Sequence, residues 1–119
     1  MEKRDELEKI EDLDITTGIN YAGADWDFYL EILGIFVEEN AAAELEQLFQ
    51  SENWQEYAVK VHGVKSSSNY IGQHILGSLA EKLEHAARNG KINFVTANHA
   101  PFIEEYTRFI EKLDKALQS

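Results

Sequence analysis

His62 opens a stretch that reads His62-Gly63-Val64-Lys65-Ser66-Ser67-Ser68-Asn69-Tyr70-Ile71-Gly72. A neutral imidazole nitrogen is a competent nucleophile near neutral pH. If it attacks a phosphoryl group, three oxygens carry charge that needs stabilising, and a lysine ammonium is a mobile point charge suited to that task. Lys65 stands one helical turn beyond the histidine. The serines, the asparagine and Gly63 are poor helix formers where a helix should run, and one such glycine costs about 1 kcal/mol against alanine. A local rule broken inside an orderly helical sequence marks a candidate working site. Here the small side chains trim the surface around one histidine, as suits a ring that something large must reach.

With each residue advancing about 100° around a helix axis, the neighbours of His62 can be placed relative to it. Trp54, Tyr57, Val61, Val64, Ser68 and Ile71 form an inward stripe centred at about −125° from His62. The histidine lies on the flank of that stripe, facing solvent. Lys65 falls at about −60°, Asn69 at about −20° and Ser66 at about +40°, all around the imidazole. Tyr70 and Gly63 follow at about +80° and about +100°. One histidine on a helix is most often a plain surface residue; the lysine and the small-residue patch set this one apart. For one ring nitrogen to attack, the other must keep its proton, so a second helix has to fix the ring.

The elements that must hold this face read as helices, because apolar residues recur at threes and fours along the chain. Residues 2–12 either form a short helix with Leu7 and Ile10 inward or fray. Asp14 to Ile19 reads as a turn into a short helical piece, and Asn20 to Ala24 as a break. Asp25 can cap a long helix with Tyr29 or Phe28, Ile32, Leu33, Phe36 and Val37 inward, loosened at Asn40 and running on to about Phe49. Asn53 followed by Glu56 reads as the cap of the His62 helix, which ends at Gly72 and Gln73. The next helix runs from about His74 to Arg88, with Ile75 or Leu76, Leu79, Leu83, Ala86 and Ala87 inward, and stops at Asn89-Gly90. Asn93 is the expected cap of the last helix, which ends near Leu117 and should kink or break at Pro101. Short connections between long amphipathic helices favour an all-α, antiparallel up-down four-helix bundle with a short N-terminal helix.

Composition narrows the chemistry. The chain of 119 residues suits one domain, and its lack of cysteine excludes disulfides, zinc–thiolate sites and thiol nucleophiles. The net charge of −11 is uneven: no Lys or Arg stands between Ile10 and Val59, where twelve acidic residues gather. Nucleic acid and anionic membranes are poor partners, since binding there rests on basic side chains meeting phosphates. The acidic half reads as a solvated outer face. Anions should instead meet Lys60, Lys65 and Arg88, which lie near His62 in sequence or on the next helix. His74, His85 and His99 show no metal-ligand spacing, so no metal site is expected. No apolar run approaches a membrane span, and the charged run from Glu2 to Glu11 has no signal-peptide core, so a cytoplasmic protein is expected. No nucleotide-binding glycine loop stands out, so the chain should not be a kinase by itself.

The combination of His62, Lys65, Ser66-Ser67-Ser68 and Ile71-Gly72 resembles the histidine phosphotransfer (HPt) family. Leu79, Leu83-Glu84, Ala86-Ala87-Arg88 and Gly90 are similar to that family's following helix and its stop. Gly18-Ile19 and the Tyr29, Leu33, Phe36 spacing look like its preceding part. The resemblance spans roughly 14–117, and it divides the chain into an N-terminal extension or short helix over 1–13 and an HPt-like domain over 14–119. It implies a monomeric four-helix bundle that shuttles phosphate between receiver-domain aspartates, or takes it from a histidine kinase. His62 would carry the phosphate and Lys65 would stabilise it. Glu84 would hydrogen-bond the inner N–H of the ring, and Arg88 would reach the phosphate or a partner. Ala58, Ser66, Asn69 and Tyr70 would line the partner surface. No cofactor is implied, magnesium belonging to the partner's receiver domain. One departure is Ser66, where the family usually has glycine; this should slow transfer or narrow partner choice without abolishing it. The rival reading is a helical interaction module whose histidine is idle.

Overall fold

The computed structural model describes residues 2–119, and among them every regular element is helical. The helices are α1 (Glu2–Glu8), α2 (Ile15–Tyr21), α3 (Trp26–Glu38), α4 (Ala42–Gln50), α5 (Trp54–Ile71), α6 (His74–Arg88) and α7 (Ile92–Leu117). Their starts follow local chemistry. Asp14, Asp25 and Asn53 each place a side-chain oxygen on a backbone N–H of the first turn of α2, α3 and α5. Gln73 does the same for α6. One core joins all the helices, with Tyr29, Leu33, Leu45, Tyr57, Val61, Ile71, Leu76, Leu83, Val95 and Leu113 buried in it. Leu7, Ile10 and Leu13 reach the same core, so the chain before α2 is packed down.

α5 and α6 are joined by only two residues and run back along each other, and this pairing positions the site. Near the connection Asn69 meets Gly77 so closely that a β-carbon at Gly77 would stand 2.1 Å from the Asn69 Oδ1. Two turns further on, His62 meets Glu84. The end of α5 is anchored from the other side. The Tyr29 hydroxyl donates to the Ile71 carbonyl at 2.8 Å, and the Asp14 N–H donates to the Gly72 carbonyl at 2.9 Å. Gly72 takes the left-handed conformation, φ 94°, that lets the chain leave α5 for α6.

Three expectations about the helices need correction. The long helix expected from Asp25 to Phe49 is two, α3 and α4. The Asn40 side chain accepts from the Ala42 N–H at 2.9 Å, and the Ala41 N–H donates to the buried Tyr106 hydroxyl at 3.0 Å. These bonds satisfy backbone groups outside a helix, so the break costs little. The last helix begins at Ile92 rather than after Asn93, because the Lys91 N–H turns back to the Ala86 carbonyl at 2.9 Å. Pro101 does not break α7, which runs unbroken from Ile92 to Leu117. The proline is exposed, while Val95, His99, Phe102 and Tyr106 anchor the helix in the core on both sides of it.

Candidate functional site

His62 sits midway along α5 with its side chain half exposed, at 50%. Its Nδ1 lies 2.9 Å from Oε2 of Glu84 on α6. The Glu84 side chain is only 11% exposed, yet three donors converge on it. Oε1 receives the Lys65 ammonium at 3.0 Å, and Oε2 receives the Arg88 Nε at 2.9 Å as well as the imidazole. Burial alone would push the Glu84 carboxyl upward; the bonds from Lys65, Arg88 and His62 outweigh it and hold the group below its usual range. An ionised carboxylate only accepts hydrogen bonds. Nδ1 of His62 must therefore be the donor in this contact, and whenever the ring is neutral its Nε2 is left with a lone pair. Such a nitrogen can act as a nucleophile.

A pH dependence follows from the lowered carboxyl. A group whose folded pKa is depressed adds stability that is fully present above its ordinary value of 4.5 and is lost as pH falls through the lower folded value. Urea midpoints compared between neutral pH and pH values below 4.5 should therefore fall more for the wild type than for Glu84→Gln. Parallel falls would contradict the ionised network.

The structure brings His62, Lys65, Glu84 and Arg88 into one constellation. Ser66 is exposed on the same face. Tyr70 is exposed too, but its ring stacks on Tyr21 with centroids 5.9 Å apart. Asn69 is half-buried and accepts from the His74 Nδ1 at 3.3 Å, which turns it toward the start of α6. Ala58 needs correction: it is 1% exposed and offers no surface to a partner. It lies on the Lys65 flank of α5, which faces α6, and a methyl group is too short to emerge there. Lys65 stands beside the imidazole, as its helical angle placed it, and its ammonium is paired with Glu84 at 3.0 Å. The cue was present, since Lys65 and Glu84 flank the same helix connection, but helical angles alone place no contact between helices.

Two further features lie outside the expected set. A groove of about 460 Å³ runs along the other flank of α5, with Gly63, Ser67 and Tyr70 on one wall and Ile32 and Ile35 of α3 on the other. His99 is buried away from His62; its Nε2 lies 2.9 Å from Glu46 and its Nδ1 2.8 Å from the Tyr57 hydroxyl, with Phe49 stacked on the ring. Both of its nitrogens are occupied, so this histidine serves the core.

No described helix is long and apolar enough to cross a membrane. No curated protein and no solved structure matched the chain. The model of the Hpt domain family matches residues 31–116, a span that holds His62, Lys65, Glu84 and Arg88 and begins inside α3. The chain belongs to the Hpt domain family, which serves histidine phosphotransfer in two-component phosphorelays.

Proposed function

We propose that this chain is a cytoplasmic phosphohistidine carrier: His62 takes a phosphoryl group from a receiver-domain aspartate, or from a histidine kinase, and passes it to another receiver aspartate. The observation that carries this reading is the Nδ1–Glu84 bond of 2.9 Å, which in the neutral ring leaves the opposite nitrogen of a half-exposed side chain free to attack. In the forward step Nε2 attacks phosphorus. The N–P bond forms as the P–O bond to the donor breaks, and the donor aspartate leaves as a carboxylate. The ring keeps its Nδ1 proton and gains positive charge, which the Glu84 carboxylate faces. Lys65 exchanges Glu84 for the phosphoryl oxygens as their charge arrives. The return step to a second aspartate runs through the same contacts in reverse. The chain supplies the carrier alone, and magnesium is held by the receiver.

The partner surface in this reading centres on His62, Ser66 and the low strip made by Gly63 and Ser67, with the groove between α3 and α5 beside it. A β-carbon at Gly63 would meet nothing within 4 Å, so the glycine is not needed for packing and its clearance is open to a partner. We assign the antiparallel up-down four-helix bundle to α3, α5, α6 and α7, on the grounds of the short α5–α6 and α6–α7 connections and the packing of α3 on α5 and α7. The bundle domain spans 14–119 in this reading, with α1 laid against it.

Incubation with phospho-loaded receiver domains tests the proposal. Phosphate should pass to the wild type and not to His62→Gln, with both proteins equally folded. Equal transfer to both would remove His62 from its role. Binding of receivers without transfer to either would favour the helical interaction module.

A further inference from the structure

The Glu84 carboxylate offers two oxygens to three donors. Oε2 is shared between the imidazole Nδ1 and the Arg88 Nε, each at 2.9 Å, while Oε1 serves Lys65 at 3.0 Å. An oxygen with two lone-pair directions can accept both. Arg88 follows Glu84 by one turn on the same helix, and its side chain is 48% exposed. An ordinary i,i+4 pair on a helix surface joins two solvated groups and contributes little. Here the acceptor is nearly buried and also holds the ring. Arg88 touches neither ring nitrogen in this arrangement, so whatever it does at the site passes through Glu84.

The two cations are not equivalent. Lys65 lies on α5 beside the imidazole, and a flexible stem carries its ammonium. When charge arrives at Nε2, Lys65 is the cation drawn toward it, and Oε1 then loses its donor. Among the described residues Arg88 pairs with Glu84 alone, through Oε2, the oxygen that also faces the ring. We propose that Arg88 is a positioning residue: it holds the Glu84 carboxylate on His62 Nδ1, and goes on holding it when Lys65 turns to the phosphoryl group. The role during transfer rests on the function proposed above; the hold on the ring in the resting protein does not.

The experiment reads the two separately. In ¹⁵N-labelled protein at neutral pH, two-bond ¹H–¹⁵N correlations report which nitrogen of His62 carries the proton. Wild type, Arg88→Met and Arg88→Lys are compared, each first checked for an unchanged thermal midpoint. The initial rate of phosphate acceptance from phosphoramidate, a small donor that needs no docking surface, is measured on the same samples. The wild-type ring should carry its proton on Nδ1. Arg88→Met should move population toward the Nε2–H form, which imidazole favours in water, and slow acceptance by about threefold to tenfold. Arg88→Lys should recover part of both, because an ammonium one turn away can still meet the carboxylate. An unchanged tautomer and an unchanged rate in Arg88→Met would overturn the proposal. So would slower transfer from receivers alone with the tautomer unchanged, which would make Arg88 a partner contact. A shifted tautomer in a protein whose wild type accepts no phosphate would uphold the hold on the ring and defeat the phosphotransfer reading instead.

Discussion

Gly72→Ala is expected to lower the folding stability by about 3–4 kcal/mol, from two separate costs. The first is conformational: φ at Gly72 is 94°, a region that a β-carbon disfavours by about 1–2 kcal/mol. The second is steric. The added carbon would stand 2.1 Å from the Asp14 carbonyl oxygen and 3.3 Å from the Gly18 amide nitrogen. Both are backbone atoms at the start of α2, and neither can rotate away as a side-chain end would. Relief requires moving α2, which would break the Asp14–Gly72 bond of 2.9 Å and strain the Tyr29–Ile71 bond beside it. A domain of this size should lose about 10–20 °C in thermal midpoint. Gly63→Ala provides the comparison, since its β-carbon meets no neighbour and alanine is the better helix former. A loss below about 1 kcal/mol at position 72 would mean that α2 is not clamped to the end of α5.

Glu84→Ala is expected to slow phosphate acceptance by about ten- to a hundredfold, the size of effect seen when the group orienting a metal-ligating histidine is removed. The imidazole loses the acceptor that fixes its proton on Nδ1, and the fraction of rings with a free Nε2 falls. The ring also loses the negative charge that faces it as it becomes cationic. Lys65, only 23% exposed, loses its counter-charge at the same time, so some stability goes with the activity. Glu84→Gln separates these effects. Its amide oxygen can still accept from Nδ1, while its NH₂ cannot satisfy Lys65 or Arg88. It should retain more acceptance than Glu84→Ala and show the flatter acid dependence of stability described above. The measurement is the rate from phosphoramidate, with the tautomer read by NMR. A Glu84→Ala protein as fast as the wild type would take Glu84 out of the site.

Much of this site was legible because it follows helical spacing. His62, Lys65 and Ser66 lie on one face by residue angle alone, and the caps at Asp25 and Asn53 and the stop at Gly72 are local chemistry. The inward placement of Val61, Val64, Ser68 and Ile71 followed from the same angles, and all four are buried. What could not be read were contacts set by one helix against another. Ala58 was expected at the partner surface, yet it is 1% exposed. Lys65 fell beside the imidazole by angle, but its pairing with Glu84 on the next helix could not be read from that angle. The division of α3 from α4 depends on a hydroxyl from Tyr106, 65 residues beyond Ala41 in the chain. Pro101 obeyed its local rule only in losing a donor, and core contacts on either side kept the helix whole. The convergence of three donors on Glu84 likewise depends on the α5–α6 register, which Gly77 permits by letting Asn69 approach.

The central claim is that His62 carries a phosphoryl group. The most direct test is the intact mass of the chain after incubation with phosphoramidate and quenching in alkali, with wild type and His62→Gln side by side. The wild type should gain one phosphate that survives alkali and is lost in acid, as a phosphoramidate bond requires, and His62→Gln should gain none. A phosphate of the same lability on His62→Gln, or no phosphate on a folded wild type, would contradict the account.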